Sequence, residues 1–337
     1  MIRRPIFIIA EAGVNHNGDI RMAKDLVLAA KDAGADAVKF QSFRAERLAS
    51  KKANLAPYQK VTVSTRSQRD MIAPLELDNS AHSALFSFCK RHGIEFLSTP
   101  FDEESADMLE RLGVQRFKLA SGDITHRALI EHVARKRKPL LLSTGMSSLS
   151  EVRQAVSWIR ALARAELTVL HCLTEYPAPI GQVNLRAMDT MRNALNLPVG
   201  YSDHTPSIEI SVAAAARGAV VIEKHLTLDR HLLGPDHAAS LEPPEFQALV
   251  TAVRNVEAAL GDGIKRMAPC ERHNRLVARR SVVAARNLKA GHKLEHSDIA
   301  IKRPGNGISP AESDSVLGRT LRKDVRQDQV LTWEALR

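Results

Sequence analysis

The sequence predicts an α/β fold of the (β/α)8 TIM-barrel class, followed by a small, mainly β domain. Three observations carry that reading. Between residue 5 and about 260, short apolar or β-branched runs alternate with helix-period segments, and the runs number eight. Eight strand-helix units in roughly 250 residues match the number and size of such a barrel. Beyond residue 277 the texture changes to short β-type segments separated by Gly291, Pro304, Gly305 and Gly307.

The strands are expected at 6–12, 37–42, 95–100, 117–121, 140–144, 168–173, 199–202 and 220–225. Helices follow nearly all of them, opened by start signals such as Asp102 before Glu103 and Glu104, or Ser147, Ser148 and Ser150 before Glu151. A doubly wound sheet would more often place G-x-G-x-x-G after the first strand, and Glu-Ala-Gly-Val-Asn-His-Asn-Gly over 11–18 is not that pattern. The polar stretch 64–79, with Pro74, reads as an excursion above the barrel rather than part of its wall. The expected domains are a barrel over 1–262, a linker over 263–276 containing Gly263 and Pro269, and a second domain over 277–337. So small a module is expected to have little core of its own and to need a partner surface.

Composition narrows the function. The formal charge is +10 over 337 residues, but the excess is diffuse and aromatics make up only 4%, which argues against nucleic acid and for a surface that concentrates anionic substrates. No apolar run approaches the length of a membrane span, and Glu11 interrupts the first apolar run too early for a signal peptide, so a cytoplasmic protein without a membrane partner is expected. Cys89, Cys172 and Cys270 lie far apart, which indicates neither a disulfide framework nor a cysteine zinc site and leaves them as structural thiols.

Two histidines stand where apolar strands run out: His204 in Gly-Tyr-Ser-Asp-His-Thr over 200–205, and His225 in Val-Val-Ile-Glu-Lys-His over 220–225. Neighbouring parallel strands lie about 4.8 Å apart, so the two imidazoles would share the end of the barrel where chemistry is done. Two nitrogen ligands leave positions for water and substrate oxygen, which suits a divalent cofactor such as Mn²⁺ or Mg²⁺, or zinc, acting as a Lewis acid on a carbonyl, and the sequence does not choose among them. The other strand ends are unusually polar: Glu11, Asn15 and His16; Lys39 and Gln41; Ser98 and Thr99; Lys118, Ser121 and Asp123; Ser143 and Thr144; Thr174 and Tyr176; Ser202 and Asp203; Glu223 and Lys224. Buried polar groups cost free energy unless paired, so this concentration predicts a ligand. Lys39 and Lys118, with Thr99, Ser121 and Ser202 as hydroxyl donors, suit a phosphate or carboxylate clamp. Candidate acids are Glu11, Asp123, Glu175, Asp203 and Asp236, with Asp123 and Glu11 the strongest as acid or base. Near the end of the chain, 302–308 reads as a rigid turn presenting Arg303.

These motifs, with Val-Lys-Phe-Gln-Ser-Phe over 38–43, Leu-Ser-Thr-Pro-Phe-Asp over 97–102, Leu-Ser-Thr-Gly-Met over 142–146, His-Cys-Leu-Thr-Glu-Tyr-Pro-Ala-Pro over 171–179 and Gly-Pro-Asp-His over 234–237, resemble those of the sialic acid synthase family. The likeness spans essentially the whole chain, and Arg-Pro-Gly-Asn-Gly over 303–307 resembles the family's antifreeze-like (SAF) domain. The resemblance implies that Lys39, Thr99, Lys118, Ser121 and Ser202 hold phosphoenolpyruvate and that His204 and His225 bind the metal. It further implies that Gln41, Tyr176, Asp236 and Arg303 contact the sugar, the arginine reaching in from the second subunit of a swapped homodimer, and that Glu11 is an acid beside the reacting groups. Two positions depart from the family's usual residues. Asp123 stands where Glu is common, and Thr174 where some members have Asn; the shorter carboxylate implies either a bridging water or a different subgroup, and legionaminic acid synthases, as the resemblance implies, tolerate Ser-Gly-Asp at this point.

The implied reaction condenses phosphoenolpyruvate with N-acetylmannosamine or a related N-acyl hexosamine and releases phosphate by carbon–oxygen cleavage. An N,N'-diacetyllegionaminate synthase using 2,4-diacetamido-2,4,6-trideoxymannose is the nearest alternative. A related barrel enzyme joining phosphoenolpyruvate to a sugar phosphate should carry extra arginines and lack the C-terminal module, and a non-catalytic sugar or anion sensor would have no need of Lys39, Lys118, His204 and His225 together.

Overall fold

The structure is a computed structural model that describes residues 5–63, 65–162 and 164–337, without the side chains of Val61 and Thr62. Its strands are Phe7–Gly13 (β1), Ala37–Ser42 (β2), Glu95–Pro100 (β3), Phe117–Leu119 (β4), Leu140–Ser143 (β5), Leu167–Cys172 (β6), Val199–Asp203 (β7) and Val221–His225 (β8). All the pairings among them are parallel, in the order β3-β2-β1-β8-β7-β6-β5-β4. β3 and β4, at the two ends of that order, pack against each other and bring the sheet round to a nearly closed barrel. The fold expected from strand-helix alternation is the one observed.

Period-2 alternation divides each strand between two cores. Ile9, Ala37, Leu97, Leu141, Leu170 and Val221 form a small apolar cluster inside the barrel. Ile8, Val38, Phe40, Phe117, Val169, Tyr201 and Ile222 belong instead to the large core shared with the surrounding helices, which include Ile20–Asp32, Asn79–His92, Leu149–Leu162 and Pro243–Leu260. Gly200 is needed where the interior is tightest, because a Cβ there would meet Leu170 Cδ2 at 2.5 Å and the Val221 carbonyl oxygen at 2.7 Å. The expected helix starts hold as well. Asp102 accepts from the Ser105 amide at 2.8 Å, and Ser148 with Glu151 exchanges side-chain and backbone bonds before the helix at Leu149.

Three expectations change. The fourth strand ends at Leu119, because Ser121–Asp123 forms a 3-10 turn, so Asp123 sits on that turn and not at a strand end. Within the stretch read as an excursion, Ser64 lies outside the described residues, while Gln68–Ile72 and Ala73–Leu75 are short helices that bury Met71 and Leu75. The chain divides after Gly261, and the segment read as a linker carries a 3-10 turn, Pro269–Glu271, and most of the helix Arg272–Ala278.

The second unit, Asp262–Arg337, pairs Ser281–Ala284 (β9) antiparallel with Ile299–Lys302 (β10). Contrary to the expectation of little core, it encloses Val282, Leu288, Leu294, Ile308, Val316, Leu331 and other buried apolar side chains. Beside them Asp298 is fully buried, bonded to Arg286, to His292 Nε2 at 2.7 Å and to the Glu295 amide at 2.9 Å. Burial would raise its pKa, but these partners hold it down to about 2.

Candidate active site

At the carboxyl ends of the strands, a cavity of about 180 Å³ opens. Of the residues singled out from the sequence, Glu11, Lys39, Gln41, Thr99, Lys118, Ser121, Thr174, Tyr176, Ser202, His204 and His225 all line it. They come from different strands and from the loops that follow, which is the barrel's usual way of assembling a site.

Its charged layer sets two lysines against two carboxylates and is tightly knit. Lys39 Nζ lies 2.7 Å from Glu11 Oε2, 3.0 Å from Thr99 Oγ1 and 3.8 Å from Glu223 Oε1. Lys118 Nζ lies 3.4 Å from Glu223 Oε1, to which Ser202 Oγ also donates at 3.1 Å. Gln41 Nε2 donates to Glu11 Oε1 at 3.3 Å. Glu223 Oε2 is buried with no hydrogen-bond partner in the protein, and Glu11 Oε2 has its lysine ion pair but no aligned hydrogen bond. Such oxygens call for a donor from solvent or a ligand.

Burial dominates the titration of the acids. It pushes Glu11 up to about 7 against the pull of Lys39, with Glu223 adding to the rise. It likewise pushes Asp123 up to about 6 against His126 and Lys118, and Asp236 up to about 6 against His204 and Lys39. Groups of this kind exchange protons near neutral pH. Burial also lowers Lys118 despite Glu223, whereas in Lys39 the carboxylates Glu11 and Glu223 outweigh it.

The two histidines stand where adjacent strands run out, as expected: His225 ends β8 and His204 follows the last residue of β7. Asp203 and Lys224 are register partners, and the rings of the next residues lie 5.3 Å apart between centroids. His204 Nδ1 is 2.7 Å from the Leu173 carbonyl oxygen, which accepts its hydrogen and leaves Nε2 as the nitrogen able to ligate. His225 is kept neutral, by burial first and then by His204 and the nearby lysines, and its Nδ1 is buried without a partner. Burial works against the charge on His204, but Cys172 and the Leu173 carbonyl outweigh it and push its pKa up, so His204 would give up a proton on ligating a divalent ion, whereas His225 already presents an open nitrogen. Among the described residues no cluster of three His, Cys, Asp or Glu side chains is placed to hold a metal, and an ion held by His204 and His225 would need its other ligands from water and substrate. Tyr176 packs beside both rings, at 4.1 Å from His204 and 5.5 Å from His225, and Tyr58, on the short helix Pro57–Thr62, meets it at 5.1 Å.

Three predicted residues stand apart from the lining. Asp123 is half-buried beside the cavity on its 3-10 turn, with Oδ2 buried and unpartnered. Asp236, also half-buried, lies on the loop after β8, its carbonyl accepting from Ser240 Oγ at 2.7 Å. Arg303 is exposed in the second unit, on the turn after β10. Several rim residues face the other way. Ser98 bonds Ser42 Oγ at 2.7 Å, Thr144 bonds the Leu170 carbonyl, and Asp203 and Lys224 pair with each other in the helix layer. The alternation that turns Thr99, Ser202 and His225 inward turns their neighbours outward.

The same rule could have assigned Glu223, which appeared at the rim without a role: it lies two residues before His225 and so shares its face. Cys172, read as a structural thiol, in fact lines the cavity, 3.8 Å from His204 Nδ1. Gly145 also matters here, since a Cβ would come within 2.0 Å of Thr174 Oγ1, and its amide donates to Ser121 Oγ at 2.9 Å.

Fold and site together define a barrel synthase with two lysines and two histidines around one cavity, of the sialic acid synthase class. The chain belongs to the NeuB family, whose model matches residues 26–265, and carries a SAF domain matched over 279–337. It is 48% identical to the N,N'-diacetyllegionaminic acid synthase of Campylobacter jejuni subsp. jejuni, over 96% of this chain and 98% of that one. It is 45% identical to the enzyme of the same name from Legionella pneumophila subsp. pneumophila, over 97% and 94%. Among solved structures, the N-acetylneuraminic acid (sialic acid) synthetase of Leptospira borgpetersenii, in complex with citrate, matches with a TM-score of 0.72 and 36% identity over 80% of this chain and 90% of that one.

Proposed function

We propose that this enzyme condenses phosphoenolpyruvate with an N-acyl hexosamine to form a nonulosonic acid and phosphate. The observation that supports this best is the convergence of Lys39, Lys118, Ser121, Ser202 and Thr99 with His204 and His225 in one cavity. The lysines and hydroxyls would grip the phosphate and carboxylate of the donor. His204 and His225 would hold a divalent ion, Mn²⁺ or Mg²⁺, whose contribution when bound is to polarise the sugar aldehyde. C3 of phosphoenolpyruvate then bonds to the aldehyde carbon, and the aldehyde oxygen takes up a proton. Water, oriented by Asp123 or Glu11, adds to C2 and passes its proton to that carboxylate. The bond from C2 to the bridging oxygen of the phosphate then breaks, phosphate leaves with that oxygen and takes up the proton of the new C2 hydroxyl, and C2 becomes the ketone carbon. Gln41, Tyr176 and Asp236 surround the side where the sugar would lie. In the same proposal the protein is a cytoplasmic homodimer and Arg303 completes the sugar contacts of the partner's site; no helix among the described residues is long and apolar enough to cross a membrane.

The identities of 48% and 45% to enzymes named for diacetyllegionaminic acid, against 36% to a sialic acid synthetase, favour a 2,4-diacetamido-2,4,6-trideoxymannose acceptor. A phosphate-release assay across acceptors should give the diacetamido sugar the highest kcat/KM, with N-acetylmannosamine at least tenfold lower. The reverse order would make N-acetylmannosamine the substrate.

Asp123, at about 6, must be ionised to take the proton of water, so kcat should fall as pH drops through 6. Asp123→Asn should lower kcat by about 10²–10⁴ and erase that acidic limb, and Asp123→Glu should restore much of the rate. A limb that survives in Asp123→Asn would belong to Glu11.

A further inference from the structure

We propose that the buried Asp203–Lys224 ion pair is a positioning device that fixes the spacing of His204 and His225; this rests on reading those histidines as metal ligands. Each member of the pair immediately precedes one histidine, and the two are the last residues matched in the ladder between β7 and β8. Among the described residues, the ladder matches no pair of β7 and β8 beyond them, so His204, just past β7, and His225, at the end of β8, are not joined by it. The ion pair takes over that task from the opposite face of the sheet.

Both side chains are fully buried, with Lys224 Nζ 2.9 Å from Asp203 Oδ2. Ion pairs in such places often stabilise a fold no better than apolar residues of the same volume, because desolvation consumes the attraction. Stability alone therefore does not account for the pair, but its remaining bonds do. Asp203 Oδ1 accepts from the Thr205 amide at 2.8 Å and from Tyr201 Oη at 3.3 Å, and Oδ2 accepts from Ser211 Oγ at 2.6 Å. Lys224 Nζ donates to the carbonyl oxygens of Thr205 and, at 2.9 Å, Ser207. The turn on both sides of His204 is thus bound to the residue before His225. With Nδ1 of His204 held by Leu173, little freedom is left to the imidazole. Two protein ligands define a site only if their separation is fixed beforehand, and a neighbouring pair that tunes ligand geometry typically changes affinity by about 10–100-fold when removed.

The test replaces the pair by apolar residues, Asp203→Leu with Lys224→Met, in the full-length protein, and reads Mn²⁺ affinity by electron paramagnetic resonance beside the thermal midpoint. The expected result is a folded protein whose Mn²⁺ dissociation constant rises at least tenfold. Dissociation constants within twofold of wild type in the folded double variant would overturn the proposal. If the double variant does not fold, Ser211→Ala and Lys224→Arg, which each disturb the network without stranding a charge, carry the test: weakened Mn²⁺ binding at an unchanged midpoint supports it, and unweakened binding overturns it. Failure of the underlying reading has its own signature. A wild-type protein that binds no Mn²⁺, or a His225→Ala variant that binds it as well as wild type, overturns the metal assignment and the positioning role together.

Discussion

Chelation of divalent ions is expected to abolish turnover, and His225→Ala to do the same without unfolding the barrel. Polarisation of a carbonyl by a bound ion supplies several kcal/mol of transition-state stabilisation, and about 4 kcal/mol corresponds to a loss on the order of 10³ in rate. The fold should tolerate the change. His225 stands at the cavity end of β8, its Nδ1 makes no hydrogen bond, and the apolar clusters inside and outside the barrel do not include it. Truncation should therefore leave the thermal midpoint within a few degrees. A variant turning over at a near-normal rate in metal-free buffer would contradict the metal assignment.

Lys39→Met should be damaging in a different way, removing donor binding and stability together. Lys39 is buried between Glu11 and Glu223, and its loss leaves two carboxylates with Lys118 as the remaining cation in that layer. Breaking one partner of a buried ionic set costs about 3–5 kcal/mol, because the charge left behind is uncompensated. Part of that cost is avoidable by protonation. Glu11, already raised to about 7, would lose the counter-ion that opposes burial, and its pKa would climb further. The variant should consequently be least impaired in stability below pH 7, where a neutral Glu11 removes the uncompensated charge, and more impaired above it. Unfolding measured across pH 5 to 9, together with the KM for phosphoenolpyruvate, checks both effects; an unchanged KM would remove Lys39 from the donor site.

Much of this was legible in the sequence because barrel strands report themselves twice, by apolar runs and by polar residues where the runs stop. His204, His225, Lys39 and Lys118 were found at strand ends for that reason and converge in space. The reading failed where facing mattered more than position. Asp203, Lys224 and Ser98 looked like rim residues but point into the helix layer, while Glu223 was given no role although it faces the lysines. Counting by twos from a residue whose direction is known would have separated them. Tyr58 could not be found in this way, since the short helix Pro57–Thr62 that brings it against Tyr176 lies between β2 and β3 and has no strand periodicity. The Asp298 knot was similarly hidden, because its partners Arg286, His292 and Glu295 are set by turns of the second unit and follow no repeating pattern.

The most direct test of the condensation lies in the origin of one oxygen atom. If water positioned by Asp123 or Glu11 adds to C2 and the carbon–oxygen bond to phosphate breaks, turnover in ¹⁸O-water places one label in the nonulosonic acid and none in the released phosphate. The measurement should take the product promptly, or trap it by reduction, since the keto acid exchanges its carbonyl oxygen with water; the phosphate does not exchange and is the decisive species. Unlabelled phosphate is the predicted result. Label in the phosphate would mean attack at phosphorus, and would contradict the mechanism assigned to this site.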